Sequence, residues 1–431
     1  MFNRTIYLKQ PNPNNINILV TSISAPIPQS TGGARGVAHS ILPLSDKYNY
    51  HFLLIGGKEV LSEAEKLLKE YKKYFCSLTL VLRREPRGSI FSKISYFNER
   101  LKLDLPFVQI SFYTKEGVEL AKKVIEENNI NILEMHTTHV AFFKKFFPEI
   151  PSVLVSHNIE CDMFLMNQNK KGIFNKLILN KIAKKSNRNA IDIELYNKLR
   201  IESQVFVTKE DMDRVSNVDK KILLPPSFDF SKNIIKKEHD EFNVIWIGTF
   251  DWFANVEAMN WFVEKVYPNF LFLQKVYKAE NIKFHIIGVN PPDFLKKLNS
   301  DKFKVYGFVE DLNDIISIAD LSIAPIISGA GIKVKVVESI SNHIPVLGTT
   351  KGVIGTGIEN NISGYIEDDP YAFAKQIILA SQNKKEGQKL AEQAFINGKD
   401  VFSTESVLSK KELIYKFLET KWKHHIVRLI F

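Results

Sequence analysis

The sequence contains very little cysteine: Cys76 and Cys161 are the only two in 431 residues. Neither lies in a metal-ligand spacing, so a disulfide-rich scaffold and a cysteine-based zinc site are excluded, and a reducing cytoplasm is favoured. The chain also lacks an apolar N-terminal targeting segment and any run near the roughly 20 apolar residues of a spanning helix. We therefore expect a cytoplasmic protein whose membrane contact, where it has any, is peripheral at the inner face.

Acidic residues are outnumbered by basic ones, and the formal net charge is +10. A basic balance attracts anionic partners such as nucleic acid, anionic lipid or phosphorylated substrates. No zinc-finger spacing, aromatic RNA-binding strand or homeodomain pattern accompanies the charge, so we expect no nucleic-acid partner. The basic segments 169–188 and 421–431 are compatible with anionic lipid, and equally with helices that pack on a core while their lysines are solvated.

Short apolar, β-branched runs alternate with longer amphipathic segments along the chain. Continuous hydrophobicity of this kind is typical of strands buried on both faces of a parallel sheet. The alternation predicts βαβ units and a doubly wound α/β architecture. The runs are 16–23, 51–57, 78–83, 131–136, 152–157 and 205–208 in the first half, and 243–250, 283–289, 303–309, 321–326 and 344–349 in the second.

The strand–helix series occurs twice, separated by residues 221–242, where two prolines precede a mixed charge run. This composition predicts an interdomain linker, with domains at 1–235 and 236–405. Residues 406–431 are expected to form a terminal helix and a basic tail, which either packs back toward the N-terminal domain or contacts a membrane surface. Two domains of this kind, facing each other, bind ligands in a cleft at the carboxyl ends of their strands.

A glycine-rich loop precedes a predicted helix in the second half. Gly329 and Gly331 allow the backbone to turn tightly and to approach a ligand closely. We expect the helix to begin near Ile332, with Lys333 in its first turn, so that N–H groups and a lysine charge form an anion site suited to a diphosphate. Glu338, one turn further on, could accept hydrogen bonds from paired ribose hydroxyls. Glycine-rich loops of this kind also occur where they only allow close packing. The order of the strands and helices around the loop therefore decides between the two interpretations.

That surrounding order resembles glycosyltransferase family 4, retaining enzymes of the GT-B fold, in which two doubly wound Rossmann-like domains face across a cleft. The resemblance covers most of residues 243–385, through GTFDWFANVEAMNWF, VYGFVEDL and GAGIKVKVVES, and the first half more loosely. It implies that Phe308 and Val309 line the base pocket of a nucleotide-sugar donor. It also implies that Gly248 lies in the first loop of the donor domain and that Glu338 holds the ribose.

Three positions depart from the family pattern. The first glutamate of the family's Glu-x7-Glu pair is replaced by Ala330, and the arginine and lysine of the first donor-domain loop are replaced by Thr249 and Asn255. A diphosphate site that loses its cations is weakened unless others replace them. Lys333 is the obvious substitute; Lys335 is a further candidate, although its position is more typical of an exposed helix lysine.

The first half contains a second glycine pair, at Gly32 and Gly33, where the first predicted strand gives way to a helix. In GT-B transferases a Gly-Gly loop at this place approaches the donor phosphate or the acceptor. The alternative is a simple strand-to-helix turn. Arg35, just inside the predicted helix, is a candidate anion contact on the acceptor side.

Two histidine motifs follow buried strands in the first half. The segment HTTHV resembles the family's two-histidine element, which maps its second histidine, beside the reacting sugar, to His139. Histidines at the ends of parallel strands lie where such folds place chemistry, so His139 is the catalytic candidate. The next run ends in SHNIECDMF, which resembles the family's His-Asn element. His157 and Asn158 are therefore candidates on the acceptor side, or they simply tie the loops together.

The resemblance implies transfer of a sugar, with retention, from a UDP- or GDP-linked donor to a glycan, glycolipid or protein acceptor in bacterial glycan or glycolipid biosynthesis. No cofactor and no metal are expected. Asp211 and Asp213 have the spacing of a metal motif but lie in a charged, helix-like surface stretch.

Two other functions stay open: a sugar-nucleotide epimerase of the same fold and, because of Ala330, a non-catalytic nucleotide-sugar-binding subunit. A polymer phosphorylase would need a pyridoxal-phosphate lysine, for which the sequence offers no candidate.

Overall fold

A computed structural model describes residues 2–28, 32–83, 105, 109, 112–157, 199–215, 220–231, 234–329 and 331–430. The chain forms two compact units, one of Met1–Pro226 with Val407–Phe431 and the other of Ser227–Ser406. Each unit contains a parallel or nearly parallel sheet with helices connecting its strands. The predicted α/β class with two doubly wound domains is therefore confirmed.

The first unit is built on a sheet of eight strands among the described residues, in the order β1-β4-β3-β2-β5-β6-β7-β8. All neighbours pair in parallel except β1, which is antiparallel to β4. Chain order reverses direction between β2 and β5. The strands are β1 Arg4–Tyr7, β2 Asn17–Ser22, β3 Asn49–Gly56, β4 Phe75–Leu82, β5 Ile132–His136, β6 Ser152–Ser156, β7 Ser203–Phe206 and β8 Lys221–Leu223.

The helices of the first unit cover both faces of this sheet, so β3 and β5 are buried along their whole length. Local signals set their ends: Thr114 caps α4 by accepting from the Gly117 N–H, and Asn129 ends it in the left-handed conformation. The helices are α1 Gly32–Ile41, α2 Lys58–Lys66, α3 Leu68–Tyr74, α4 Lys115–Asn128, α5 Phe143–Phe146 and α6 Lys209–Arg214, with 3₁₀ turns at Leu42–Leu44 and Thr138–Val140.

The second unit contains a fully parallel sheet of six strands in the order β11-β10-β9-β12-β13-β14. Its strands are β9 Phe242–Ile247, β10 Ile282–Ile287, β11 Phe303–Tyr306, β12 Leu321–Ala324, β13 Val346–Gly348 and β14 Tyr365–Ile366. Because β10 and β11 are added on one side of β9 and the later strands on the other, the winding direction changes between β9 and β12.

The helices of the second unit pack on this sheet through apolar stripes. The stripe predicted over 256–266 is confirmed: Met259, Phe262 and Val266 are buried in the core, and Val256 and Val263 pack against it. A π-helical turn at Phe262–Val266 interrupts the stretch. The helices are α7 Phe253–Trp261, α8 Tyr267–Val276, α9 Asp293–Lys296, α10 Asn313–Ile318, α11 Val334–Ser341, α12 Thr350–Val353, α13 Pro370–Gln382 and α14 Lys384–Phe402.

A long terminal helix, α15 at Thr404–Ile430, returns the chain to the first unit. Val407, Ile414, Tyr415 and Leu418 are buried in the apolar core beside β2 and β3. The basic stretch 421–431, predicted as a tail after the helix, is helical as far as Ile430. Across the described ranges, no helix combines the length and apolar composition needed to cross a bilayer.

Three short strands escaped the sequence patterns. β1 and β14 are brief edge strands, and β8 lies inside the segment predicted to be an interdomain linker. That prediction was wrong for residues 221–223, because Ile222 and Leu223 pair with β7 and extend the first sheet. A three-residue edge strand next to two prolines carries too little apolar periodicity to be distinguished from a loop.

Candidate functional site

The glycine loops of the second unit meet where its sheet changes winding direction. The loop containing Gly248 follows β9, and the loop containing Gly329 and Gly331 follows β12, its neighbour in the sheet. Because parallel neighbours end at the same edge, both loops lie at the carboxyl edge of the sheet, where open α/β sheets bind ligands. The structure therefore brings these two predicted segments together.

The second of these loops is shaped by glycine conformation. Gly329 and Gly331 adopt φ values of +100° and +75°, which residues with a Cβ rarely adopt. α11 begins at Val334, so the helix start expected near Ile332 was two residues too early. Lys333 occupies the N-cap position, and its ammonium donates to the Gly331 carbonyl at 2.6 Å. Ile332 packs against the apolar cluster beneath the loop.

Lys335, in the first turn of α11, is not the exposed helix lysine that its sequence context favoured. It is half-buried; its ammonium lies 4.1 Å from the Trp246 ring centroid and donates to Asn255 Oδ1 at 2.9 Å. Burial, reinforced by the Lys333 charge, lowers the pKa of Lys335 to about 7. Lys335 lies one turn before the buried Ser339, so the two residues share the face of α11 that packs on the sheet.

Asn255 links this lysine to the loop after β9. Its Nδ2 donates to the Thr249 carbonyl at 2.7 Å, while its Oδ1 accepts from Lys335. Thr249 and Asn255 stand where the family pattern has cations, and the structure places the Lys335 ammonium directly against Asn255. A lysine from α11 thus supplies a positive charge beside the loop that lost its own.

Gly248 is required by the closeness of its neighbours. A Cβ built on Gly248 would lie 2.7 Å from Lys335 Nζ and 3.0 Å from the Trp246 indole. Gly288, directly after β10, has even less space for a side chain, because a Cβ built there would lie 1.8 Å from the Gly248 carbonyl oxygen. Gly248 also donates its N–H to the Ile287 carbonyl at 2.9 Å, so the two loops hold each other in place.

Glu338 lies one turn beyond Lys335 on α11 and is half-buried. Its negative charge raises the pKa of Lys335, opposing the burial effect. Phe308 and Val309 follow β11 at the carboxyl edge of the sheet, and Phe308 is 77% exposed. An exposed aromatic ring can stack on a base. The ribose and base roles of these residues remain predictions.

The first unit repeats the arrangement. Its winding direction changes between β2 and β5, and α1 follows β2 beginning at the Gly32–Gly33 pair. Arg35 is exposed on α1. Gly36, one residue later, packs directly on His157 at the end of β6, and a Cβ there would lie 2.7 Å from the imidazole Cε1. Gly32, Gly33 and His157 are thus brought to one edge of the sheet.

His139 lies in the 3₁₀ turn that follows β5 at the same edge. Its Nδ1 lies 3.1 Å from Thr137 Oγ1, and its ring packs edge-on against Phe112 at 5.0 Å. Burial, with the Arg83 charge as a second cause, lowers the pKa of His139 to about 4. A histidine in this state is neutral at pH 7 and acts through hydrogen bonding rather than as a cation.

A buried polar network behind these histidines was missed from the sequence. Glu134, fully buried in β5, accepts from Lys411 at 2.6 Å and pairs with His136 Nε2 at 2.7 Å, while His136 Nδ1 lies 3.2 Å from His157 Nε2. Its one signal in the sequence was a carboxylate inside the apolar strand ILEMH, which requires a partner. Burial lowers the pKa of His157 to about 3.

Some sequence expectations fall outside the described ranges, namely Asn158, Ala330 and the basic segment 169–188. The expectation that the Asp-x-Asp pair is all surface was wrong for one member: Asp211 is buried and Asp213 is exposed. Side chains two residues apart on α6 point in different directions and do not share a ligand. In the described part of the chain, no group of three His, Cys, Asp or Glu side chains is arranged to hold a metal ion.

Residues 241–383, which span the glycine loops and α11, match the family model described as Glycosyl transferases group 1. The second unit of this chain is therefore similar to group 1 glycosyltransferases. The matched residues include the loop of Gly248 and helix α11, which carries Lys335 and Glu338. One curated relative is similar along the chain: a Klebsiella pneumoniae protein described as an uncharacterized 44.6 kDa protein in the cps region, 23% identical over 91% of this chain and 98% of its own.

Solved structures of the GT-B fold align with nearly the whole chain. HepE from Anabaena, solved with UDP, aligns with a TM-score of 0.60 at 13% identity over 94% of this chain and 100% of its own. A glycosyltransferase from Rickettsia africae gives 0.62 at 14% identity, covering 94% and 99%. Sucrose-phosphate synthase from Thermosynechococcus elongatus gives 0.59 at 12% identity, also covering 94% and 99%.

Proposed function

We propose that this chain is a glycosyltransferase, which moves a sugar from a nucleoside diphosphate donor to an acceptor hydroxyl with retention of the anomeric configuration. We further propose that the reaction serves polysaccharide or glycolipid biosynthesis. The donor site is formed by the loops after β9 and β12, by α11 and by the exposed Phe308. The pattern of loops and the location at the switch of winding direction are those of a nucleotide site in an open α/β sheet.

One observation carries the proposal: Lys333 and Lys335 lie together at the start of α11, directly after a loop with two left-handed glycines. The unpaired N–H groups of a helix start favour an anion, and the two lysines add positive charge to the partial charge of the helix when they are protonated. The second lysine is held over Trp246 and is half-buried. This arrangement suits a diphosphate better than a monoanion.

Charge stabilisation is the main chemical task we assign to α11 and its lysines. As the bond between the sugar and the diphosphate breaks, negative charge grows on the leaving group, and donors already oriented toward it lower the barrier. In a reaction on a single face of the sugar, the leaving diphosphate also helps to take the acceptor proton. Orientation of the two substrates would supply much of the remaining rate enhancement.

We assign His139 a hydrogen-bonding role beside the reacting sugar. A histidine whose pKa lies near 4 is a weak base at neutral pH but a good neutral donor or acceptor. Glu338 is assigned to the paired ribose hydroxyls, because a carboxylate can accept two hydrogen bonds at once. Phe308 and Val309 are assigned to the base, and Gly32, Gly33, Arg35 and His157 to the acceptor side.

The donor and acceptor classes are inferred from the proteins that this chain resembles. HepE has been solved with UDP and with UDP-glucose, which supports a uridine donor as the first to test, with GDP-sugars next. The Klebsiella relative is described by its place in the cps region, which supports a growing glycan or a glycolipid as the acceptor. A protein acceptor and a peripheral contact with the membrane remain predictions.

The proposal is tested by incubating the purified chain with a panel of UDP- and GDP-sugars and following nucleoside diphosphate release. Release with one donor, accelerated by an acceptor and giving a product with the donor's anomeric configuration, is the expected result. A product with the inverted anomeric configuration would contradict only the proposed retention and not the transfer of the sugar. Binding of a donor without any turnover would instead support the non-catalytic subunit that Ala330 suggests.

A further inference from the structure

Three side chains contact one buried carboxylate in the first unit, that of Glu134. Glu134 Oε1 accepts from the Lys411 ammonium at 2.6 Å and lies 2.7 Å from His136 Nε2, and Glu134 Oε2 accepts from the Tyr415 hydroxyl. Lys411 also donates to Ser40 on α1. Lys411 and Tyr415 both belong to α15, the terminal helix.

The charges of this cluster balance without any charge on histidine. Lys411 is 2% exposed and Glu134 is fully buried, so each would be costly without the other. The Lys411 charge is the first of the favourable interactions that hold the pKa of Glu134 at about 2 against burial. Burial lowers the pKa of His136, which therefore stays neutral beside this pair.

The hydrogen bond between Glu134 and His136 then determines which nitrogen of His136, and in turn of His157, carries the proton. The Glu134 carboxylate only accepts, so the neutral His136 ring carries its proton on Nε2. Its Nδ1 must accept, and the partner 3.2 Å away is His157 Nε2, which therefore donates. The His157 proton is thus on Nε2, and its Nδ1 is left as an acceptor. Gly36 holds this ring from the other side.

We propose that Lys411 is a positioning residue: by neutralising Glu134 it fixes His157 as a neutral ring with a protonated Nε2 and an accepting Nδ1. Only the link from this tautomer to turnover rests on the proposed function, in which His157 lies on the acceptor side. Other titratable groups near Glu134 and Lys411 are Tyr50, which bonds Tyr415 at 3.1 Å, and, further out, Tyr48 and Glu412. Burial raises the pKa of Tyr48 to about 12, so it stays neutral.

Lys411→Met makes the proposal testable, because it leaves the Glu134 charge without its partner. His136 then becomes the nearest group able to neutralise the carboxylate, so it takes a second proton and its Nδ1 turns into a donor. His157 Nε2 must now accept, and its proton moves to Nδ1. The double variant Lys411→Met/Glu134→Gln removes both charges and keeps an amide oxygen for His136, so it restores the original direction.

The experiment is nitrogen-15 NMR of the full chain labelled at histidine, with the two rings assigned through His136→Gln and His157→Gln. At neutral pH we expect the wild type to show His157 protonated on Nε2 alone. Lys411→Met is expected to move the proton to Nδ1 and the double variant to return it. Lys47→Met is the matched control, because Lys47 pairs with Glu412 on the outside of the same helix.

A wild-type His157 that is protonated on Nδ1, or protonated on both nitrogens, would overturn the proposal without any variant. A folded Lys411→Met protein in which the His136 and His157 ring nitrogens keep their wild-type protonation would overturn it as well. Where turnover is measurable, Lys411→Met should lose roughly 10-fold in kcat and gain an ionisation near neutral pH, with recovery in the double variant. The NMR measurement of the histidine rings does not depend on sugar transfer. The proposal for Lys411 can therefore be tested even where the transfer assay shows no activity.

Discussion

The Lys335 ammonium lies 4.1 Å from the centroid of the Trp246 ring and donates to Asn255. The indole face favours the cation, while loss of water disfavours it. The balance leaves Lys335 with a pKa of about 7, well below that of an ordinary lysine. Such a group gains most from an incoming anion, since the anion restores the stabilisation that water had given.

Lys335→Met is therefore expected to weaken nucleoside diphosphate binding. Loss of one charge-assisted hydrogen bond corresponds to about 10- to 100-fold in affinity. Isothermal titration with UDP and GDP measures the change. Lys389→Met, an exposed lysine on α14 of the same unit, is the matched control and should bind as the wild type does. Equal affinities in the two variants would remove Lys335 from the site.

The affinity for a diphosphate should depend on pH through the same lysine. Below pH 7 the Lys335 amine is protonated in the free protein. Above pH 7 it is mostly neutral, so it must take up a proton before it can bind the diphosphate as a cation. Affinity should therefore be highest below pH 7 and fall, by up to about tenfold per pH unit, as the pH rises above it. Titrations at pH 6.5, 7.5 and 8.5 measure this slope, and Lys335→Met should flatten it. A wild-type affinity that rises over this range would contradict the assignment.

Two glycines at the same edge should respond differently to alanine. In Gly248→Ala the new methyl meets the mobile end of Lys335, so we expect weaker UDP binding with little loss of stability. In Gly288→Ala it meets the Gly248 carbonyl, which cannot move away cheaply, so the thermal midpoint should fall. Gly57→Ala, in the first unit, is the control for both measurements, because no atom lies within 4 Å of a Cβ built there. The reverse pattern would show that the loop packing is misassigned.

Glu338→Ala and His139→Ala should separate binding from turnover. Removing the ribose contact lowers nucleotide affinity, whereas removing a group beside the reacting sugar lowers kcat with the nucleoside diphosphate affinity kept. Steady-state rates and UDP titrations on both variants measure the split, with the exposed Glu264→Ala as the control. Unchanged nucleotide affinity in Glu338→Ala would exclude Glu338 from the donor site.

The first unit should lose stability in mild acid. Burial lowers the pKa values of His51 and His139 to about 4 and that of His157 to about 3, whereas the unfolded chain protonates near 6.5. The unfolded state binds more protons below pH 6.5, so stability is retained above that pH and falls as the pH drops toward 4. Urea midpoints at pH 7 and 5 measure the loss, which should be smaller in His51→Gln. A midpoint that is higher at pH 5 would have the wrong sign.

Much of the fold could be predicted because its central strands are continuous apolar runs. β2, β5 and β12 lie within runs identified in the sequence, and β9 begins one residue before its run. The loops of Gly248, Gly329 and His139 follow these strands. Those loops follow from strand order alone, since parallel strands end at a common edge. The carboxyl edge of each sheet was therefore accessible to sequence reasoning.

The orientation of individual side chains was not accessible. Lys335 lies over Trp246, a residue far away in the sequence, so its local context could not show that it is partly buried. The start of α11 was expected two residues too early, because a helix start without a side-chain cap leaves no clear signal. The partnership of Glu134 with Lys411 joins residues 277 positions apart, so no local pattern could reveal it. Both features depend on tertiary packing, which the local periodicity of the chain does not encode.

In the function we propose, α11 and the loop after β9 hold the diphosphate of a nucleotide-sugar. Its most direct test is a calorimetric titration of the wild type and of Lys335→Met with UDP, GDP and ADP. We predict one-to-one binding of one of these to the wild type and an affinity lowered at least tenfold in the variant. Absence of binding by every nucleoside diphosphate, or equal affinity in the two proteins, would contradict the account.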